Sequence, residues 1–538
     1  MTVDFSLPAD PASAWAAPPD HPLVTPRVRD LLAQVFDVDP DAATAAPATV
    51  PGQSRLAGPA RDALVAAVGA AHVRLDAEPR AAHANGMSYL DLLRRRTGQA
   101  PAAPDAVVLP ADADEIAAVL TACVQHDIAV VPFGGGTSVV GGVTAERGPF
   151  AAVIALDLAR LDRLVELDEI SRTATLQAGL TGPRAEELLA ARGYTLGHVP
   201  QSFERATIGG YAATRSAGQL STGWGRFDAL VEHLRAVTPA GALDLGRAPG
   251  TAAGPDLRQV LLGSEGAFGV ITEVTVRVRP VPEVRRHEGW RVASFAEGVA
   301  LVRALGQDGP RPDLLRLSDE TETALGVATA GEEAGDGCLL LVGWEGAAED
   351  VTRRADAATA FLRRHGATAL GEEAAASWRT GRFRAPRLRD ELLGAGLLVE
   401  TLETAVRWRD LETLHATVGE RLRAALDGAR PVVACHLSHV YPAGASLYFS
   451  VLARQDEHDP VAQWQHAKRA ASDALAEAGA TITHHHAVGA DHVPWMTTEV
   501  GDAGVGLLRA VKAHLDPHGV MNPGKLIPDA AGAGLRAT

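Results

Sequence analysis

Pro132-Phe133-Gly134-Gly135-Gly136-Thr137-Ser138 follows the apolar, strand-like Ile128-Ala129-Val130-Val131 and places three residues without side chains in one turn. Bare backbone lets successive N–H groups approach an anion, and the hydroxyls of Thr137 and Ser138 add neutral donors, so the stretch reads as a cradle for a pyrophosphate. It is not a Walker A loop, since no lysine follows, nor a G-x-G-x-x-G loop, since its glycines are contiguous. Other small-residue loops follow. Gln201-Ser202-Phe203-Glu204-Arg205-Ala206-Thr207 runs into Ile208-Gly209-Gly210, with Thr214-Arg215-Ser216-Ala217 just beyond. Later, Glu265-Gly266-Ala267-Phe268-Gly269-Val270-Ile271 forms a turn that enters the alternating pattern of a strand over residues 272–280. Small, hydroxyl-rich loops recurring in one region point to a large, extended, phosphate-bearing ligand.

A chain of 538 residues is too long for one ordinary core, so two or three domains are expected. The formal charge of −16 argues against a nucleic-acid or anionic-membrane partner, because phosphate backbones recruit basic surfaces; an anionic substrate must therefore meet a local cationic pocket. Cys123, Cys338 and Cys435 are far apart and form no C-x-x-C pair, which supports neither a disulfide framework nor a zinc ribbon and fits a reducing cytoplasm. No basic segment leads an apolar one at the N-terminus, and no stretch reaches the roughly twenty apolar residues of a membrane span. Lysine occurs only at Lys468, Lys512 and Lys525 while arginine and alanine abound, a bias that suggests a GC-rich bacterial genome.

The patterning implies an α+β chain. Residues 1–100 read as a mostly helical lead-in, loosely packed and rich in Pro, Ala and Asp to residue 50, with helical segments at 28–36, 63–73 and 88–96. The last of these ends in Arg94-Arg95-Arg96, read as a solvated helix end. Residues 101–282 read as a ligand-binding domain opened by a β-α-β unit, with Asp112 and Glu115 starting its helix in capping-box fashion. Between 283 and 510, strands near 339–344, 397–404, 432–439 and 447–452 alternate with helices near 348–365 and 405–426, which suits an antiparallel sheet with helices on one face. Residues 511–538 carry the turn chemistry of a chain returning to close a site.

His484-His485-His486 stands out in the second half. As a strand it would point His484 and His486 to one side and His485 to the other. Neutral imidazole can move protons near pH 7 and imidazolium can meet phosphate; a metal pair and an exposed polar run are the other readings of such a triplet.

Taken in order, the glycine- and hydroxyl-rich loops resemble the FAD-binding domain of the vanillyl-alcohol oxidase/p-cresol methylhydroxylase flavoprotein superfamily. Within it, residues 80–526 resemble the alkyldihydroxyacetonephosphate synthase (alkylglycerone-phosphate synthase) family. The resemblance implies a two-subdomain FAD-binding domain of the p-cresol methylhydroxylase type plus an antiparallel-sheet substrate cap domain. It assigns residues 132–138, 201–207, 214–217 and 265–271 to FAD contact. It also implies that the histidine triplet belongs to the active site, that Tyr448 is its acid/base, and that Arg316 and Arg389 are functional, Arg389 as an anion grip suited by its planar fork to phosphate or carboxylate. Thr137 stands where covalently flavinylated relatives place a histidine, so noncovalent FAD is expected. Related 2-hydroxy-acid dehydrogenases use a His-flanked turn to help bind a divalent metal; this chain keeps His439 but has Tyr448 at the second position. Two neutral nitrogens without a carboxylate hold such ions poorly, so no metal is expected. Gln201 replaces an acidic residue and Arg205 a common aromatic, departures that bear on substrate identity.

The implied reaction exchanges the acyl group of an acyl-dihydroxyacetone phosphate for a fatty alcohol, with flavin as an electrophilic carrier and no net redox change. Such chemistry needs an apolar tunnel for the chains of a lipid-like anionic substrate, and it leaves room for peripheral membrane contact and a homodimer. The rival reading is an FAD-linked oxidase or dehydrogenase of a 2-hydroxy acid or other alcohol, using the same arginines on a carboxylate.

Overall fold

The computed structural model describes residues 24–39, 51–96, 103–330, 335–381, 383 and 385–528; the rest of the lead-in and of the C-terminal tail lies outside them. Among these residues the first sheet comprises β1 (Val73–Arg74), β2 (Ala106–Val108), β3 (Ile128–Phe133) and β4 (Ala152–Asp157), in the order β1-β2-β4-β3. β2, β4 and β3 run parallel, while β1 is antiparallel to β2. β3 and β4 are buried on both faces, which explains their unbroken apolar runs. The crossover helix Ala113–Gln125 starts as its sequence requires: the Asp112 carboxylate accepts from the Glu115 N–H at 2.9 Å, and Glu115 accepts from the Ala111 N–H at 2.7 Å.

A second, antiparallel sheet has the order β5-β6-β10-β8-β9, from β5 (Leu164–Asp168), β6 (Thr173–Gln177), β8 (Val231–Thr238), β9 (Gly241–Leu245) and β10 (Val270–Arg277). β7 (Tyr194–Thr195) pairs with β11 (Arg279–Pro280) beside it. After the helix Met496–Leu515 the chain comes back to the first sheet: the Val130 N–H donates to Val520 O and the Asn522 N–H to Val130 O, each at 2.8 Å. Residues 520–522 thereby cover the edge of β3.

The third sheet is antiparallel, with the order β15-β12-β14-β13-β17-β18-β16. Its strands are β12 (Val284–Val292), β13 (Leu314–Ser318), β14 (Cys338–Gly346), β15 (Thr368–Gly371), β16 (Leu397–Arg407), β17 (Val432–Val440) and β18 (Gly444–Arg454). Strand alternation divides its two faces. Leu315, Leu317, Leu437, Leu447, Phe449 and Leu402 join one core with residues of the helices Phe295–Gln307, Ala348–Arg364, Leu411–Ala425 and Pro460–Glu477. Their neighbours Arg316, Ser318, His436, Tyr448, Ser450 and Thr401 face a cavity.

Three local expectations are corrected. Residues 405–407 continue β16 instead of starting a helix, because they pair with residues 444–446 of β18; the helix begins at Leu411. The lead-in segment is a docked helix, Pro26–Phe36, whose Leu32 and Phe36 pack with Leu392, Leu397 and Val399 of the third-sheet unit. Burying each such side chain contributes about 1.5–3 kcal/mol. The arginine triplet is a brace and not a solvated end: Arg95 donates to Asn85 Oδ1 at 2.7 Å and to Gly86 O at 3.1 Å, while Arg96 pairs with Asp390 at 3.0 Å.

Candidate active site

β3 delivers the chain directly into the glycine cradle. Gly136 adopts φ +65°, and a Cβ there would lie 2.7 Å from the Phe133 ring. A Cβ on Gly134 would fall on the Thr207 hydroxyl, and one on Gly135 on the carbonyl of Arg205. The first loop is thus packed backbone to backbone against the second, which explains the three consecutive glycines better than turn flexibility does. Residues 132–138 all line one cavity of about 1360 Å3, together with Gln201, Ser202, Ala206, Thr207, Thr214, Ser216, Ala217, Glu265, Gly266, Gly269 and Ile271. Ser138 accepts from the Gly142 N–H at 2.8 Å, which keeps its hydroxyl proton for donation.

Other residues assigned to FAD contact are placed elsewhere. Phe203, Ala267, Phe268 and Val270 are buried hydrophobic residues that do not line the cavity. Arg215 turns away to the carbonyls of Leu262 and Gln259. Glu204 and Arg205 are half-buried outside the cavity lining, and burial together with Arg95 lowers the Arg205 pKa. Glu265 lines the cavity, yet its carboxylate accepts from the N–H groups of Val488 and Gly489 at 2.9–3.0 Å. Burial pushes its pKa up to about 7, against the pull of these donors and of Lys525. It is a staple between the flavin-side loop and the segment that follows the histidines.

Cross-strand register assembles the opposite wall. Ser318 faces His436, His436 faces Tyr448, and Tyr448 faces Glu403, forming one row across β13, β17, β18 and β16. Tyr448 stacks on His436, with ring centroids 4.8 Å apart, and meets His486 edge-on at 5.6 Å. Burial raises the Tyr448 pKa, keeping the phenol protonated at neutral pH. A bulge between Ser438 and Val440 gives His439 φ +49° and turns its ring toward His484 and His485.

The histidine triplet is not a strand, and the expected alternation is overturned. Glu403, its side chain fully buried, accepts from the N–H groups of His484, His485 and His486 at 2.7–3.2 Å and from the Thr483 hydroxyl at 2.5 Å. Converging three successive N–H groups on one carboxylate curls the backbone, so His485 and His486 line the cavity while His484 is buried behind them. Burial pushes the His484 pKa down to about 3 and holds His439 and His486 well below the usual range. The ring nitrogens of His439, His484 and His485 lie within 4.8 Å of one another. His484 bonds Tyr441 Oη at 2.6 Å and His485 Nδ1 at 3.0 Å, so the cluster forms a hydrogen-bonded chain.

Both arginines line the cavity, and both are braced. Arg316 pairs with Glu322 at 3.0 Å, and Glu322 also binds His436 Nδ1 at 2.9 Å. Arg389 divides its guanidinium among Val399 O, Met87 O and Glu400, at 3.2–3.3 Å. Burial would raise the Glu322 pKa, but Arg316 and His436 outweigh it and hold the carboxyl below its ordinary 4.5. A depressed folded-state pKa stabilises above the unfolded value and loses that contribution as pH falls through the folded one. Glu322→Gln should therefore lower the melting temperature at pH 7, and the gap to wild type should narrow below about pH 4.5; a gap that stays constant with pH would contradict the pairing.

Glu322, His436, Glu403 and Tyr441 were not found from the sequence. Only the acidic residues interrupting the apolar run Leu397-Leu398-Val399-Glu400-Thr401-Leu402-Glu403 hinted at buried carboxylates. One part of the cavity is apolar, lined by Leu31, Leu32 and Val35 of the N-terminal helix and by Leu388, Leu392 and Leu452. At about 1360 Å3 it exceeds the roughly 300–1,000 Å3 of single small-molecule sites, leaving room for a dinucleotide and a chain-bearing substrate together. The side-chain-free cradle, at which any added Cβ meets protein atoms, fits FAD.

Comparison with known proteins agrees with this geometry. Residues 104–245 match the FAD binding domain family, and residues 281–526 match the C-terminal domain family of FAD linked oxidases. Alkyldihydroxyacetonephosphate synthase of Trypanosoma brucei brucei is 32% identical over 485 residues, covering 85% of this chain and 78% of the relative. The enzyme of that name from Dictyostelium discoideum is 32% identical over 476 residues, covering 84% of this chain and 77% of the relative. A solved alkyldihydroxyacetonephosphate synthase superposes with a TM-score of 0.78 at 27% identity, over 94% of this chain and 93% of the other. p-Cresol methylhydroxylase, at 15% identity with a TM-score of 0.68 over 89% of this chain and 98% of its own, shares the fold. Sequence and architecture converge over nearly the whole length, and the chain belongs to the alkyldihydroxyacetonephosphate synthase family of FAD-dependent enzymes.

Proposed function

We propose that the protein exchanges the acyl group of an acyl-dihydroxyacetone phosphate for a fatty alcohol, releasing the fatty acid and forming the alkyl ether. The observation that supports this most directly is the continuity of one cavity from the glycine cradle, past Tyr448, His485, His486 and Arg316, to an apolar end. FAD held in the cradle supplies a reversible electrophile, so the exchange needs no external oxidant. The chain's residues supply the rest. Arg316 and Arg389, each held in place by a carboxylate, turn their remaining guanidinium donors to the phosphate. The imidazoles accept the proton lost from carbon, and the protonated phenol of Tyr448 donates to departing oxygen. The apolar end holds the chains and excludes water.

No helix among the described residues is long and apolar enough to cross a membrane. In this reading the lipid-like substrates are met at a membrane surface by peripheral contact, the protein works as a homodimer, and its compartment is reducing cytoplasm, where its three buried cysteines stay free.

The test is anaerobic incubation of the yellow protein with acyl-dihydroxyacetone phosphate and fatty alcohol. Ether product and fatty acid should form in equal amounts while the flavin stays oxidised. Bleaching of the flavin by 2-hydroxy acids, without ether formation, would assign a dehydrogenase instead. Leu452→Trp, which fills the apolar end, should lower kcat/KM for long-chain alcohols on the order of tenfold and spare short ones; equal loss for both would place the chains elsewhere.

A further inference from the structure

Two ring contacts of His485 define its protonation pattern. Its Nδ1 lies 3.3 Å from the Glu403 carboxylate and 3.0 Å from His484 Nδ1. An ionised carboxylate disfavours a lone pair facing it, so in the hydrogen bond between the two Nδ1 atoms the proton belongs on His485 Nδ1, the nitrogen beside Glu403. The facing His484 Nδ1 is then an acceptor, and His484 Nε2 carries the hydrogen that Tyr441 Oη receives at 2.6 Å. One buried negative charge thereby sets two tautomers in series. It leaves the second nitrogen of His485 as a lone pair on an imidazole that lines the cavity, with no protein hydrogen-bond partner among the described residues.

We propose that Glu403 is the positioning residue that holds His485 in its Nδ1–H tautomer, making Nε2 of His485 the general base of the site. The arrangement follows the physical logic of a carboxylate orienting a histidine, assembled between a strand and a loop. Glu403 also grips the backbone of residues 484–486, so one carboxylate sets both the position of the imidazole and its proton inventory. Burial would raise the Glu403 pKa, and His485 outweighs it, so the carboxyl stays ionised. The protonated phenol of Tyr448, 6.1 Å from His485 between ring centroids, takes the complementary role of acid.

The groups facing His485 are Glu403 from β16, His436 and His439 from β17, Tyr448 from β18, and His484 and His486 from its own loop. Glu403 is the anion among them. Arg316 with its partner Glu322, and Lys468, lie one step further out, beside His436 and His486. Removing the Glu403 charge must therefore lower the affinity of His485 for a proton. The inference rests on the synthase reading only for which carbon acid is deprotonated; the basicity of His485 is a property of the protein without substrate.

The test uses the FAD-loaded protein. Diethyl pyrocarbonate attacks neutral imidazole, and mapping the modified histidines by mass spectrometry across pH gives a midpoint for His485 without any substrate. Glu403→Gln keeps an acceptor oxygen and drops the charge. It should move that midpoint, and the acid limb of kcat/KM, down by about one pH unit. It should lower kcat by about 10–100-fold at nearly constant KM and FAD content. Glu403→Asp, which keeps the charge, should return the midpoint toward wild type even where the rate stays reduced. If kcat falls while both pH readouts stay in place, Glu403 is only a backbone clamp and the proposal is overturned. Should Glu403→Gln fail to fold, wild type decides: the nitrogen chemical shifts of His485 must show the Nδ1–H tautomer, and an Nε2–H tautomer overturns the proposal. Absence of ether synthesis by wild type, with the labelling shift intact, would remove the substrate reading and leave the role of Glu403 standing.

Discussion

Gly135→Asp should be purified colourless, with essentially no acid-releasable FAD, while the third-sheet unit remains folded. The Cβ of any residue at 135 would fall on the Arg205 carbonyl, so the two cradle loops must separate. The carboxylate also brings a negative charge beside the loop that receives a pyrophosphate, adding charge repulsion to steric loss. Both effects act in the same direction, and no side-chain rotation relieves the first. Flavin absorbance after reconstitution with excess FAD is the measurement. Wild-type FAD content in the variant would mean that the cofactor's phosphates lie outside residues 132–138.

Tyr448→Phe should keep FAD content and melting temperature near wild type and reduce turnover on the order of a hundredfold or more, the usual scale for a positioned proton-transfer group. The ring stacks on His436 and fills the same volume with or without its oxygen, so packing hardly changes. What disappears is the protonated hydroxyl in the row Ser318, His436, Tyr448, Glu403. Steady-state kinetics with acyl-dihydroxyacetone phosphate and fatty alcohol gives the answer, and unchanged turnover would return Tyr448 to a packing role. Glu403→Gln and Tyr448→Phe should combine less than multiplicatively, because the two groups serve one proton path.

The elements that were legible share a local cause. Asp112 and Glu115 announce a helix start because capping is settled within four residues, and the apolar runs of β3 and β4 are readable because both faces are covered. The start of the helix after β16 was misread because residues 405–407 obey residues 444–446 of another strand. The histidine triplet was misread for the same reason: period-two alternation assumes an extended backbone, and a carboxylate 81 residues distant curls it.

The sequence by itself determined that the chain holds an extended, phosphate-bearing ligand, because side-chain-free, hydroxyl-bearing loops answer to phosphates that need bare backbone; that this ligand is a flavin dinucleotide came from the resemblance of those loops, in their order, to a known family. It also determined the α+β class, through periodicity. Tertiary structure alone decided which residues act together. Arg316 is coupled to His436 through Glu322, Tyr448 to Glu403 across a strand pair, and the histidines to the flavin-side loop through the Glu265 staple at Val488 and Gly489. The physical reason is that buried charges must find partners wherever the fold brings them, and such pairing is set by strand register and domain docking at separations that no sequence window spans.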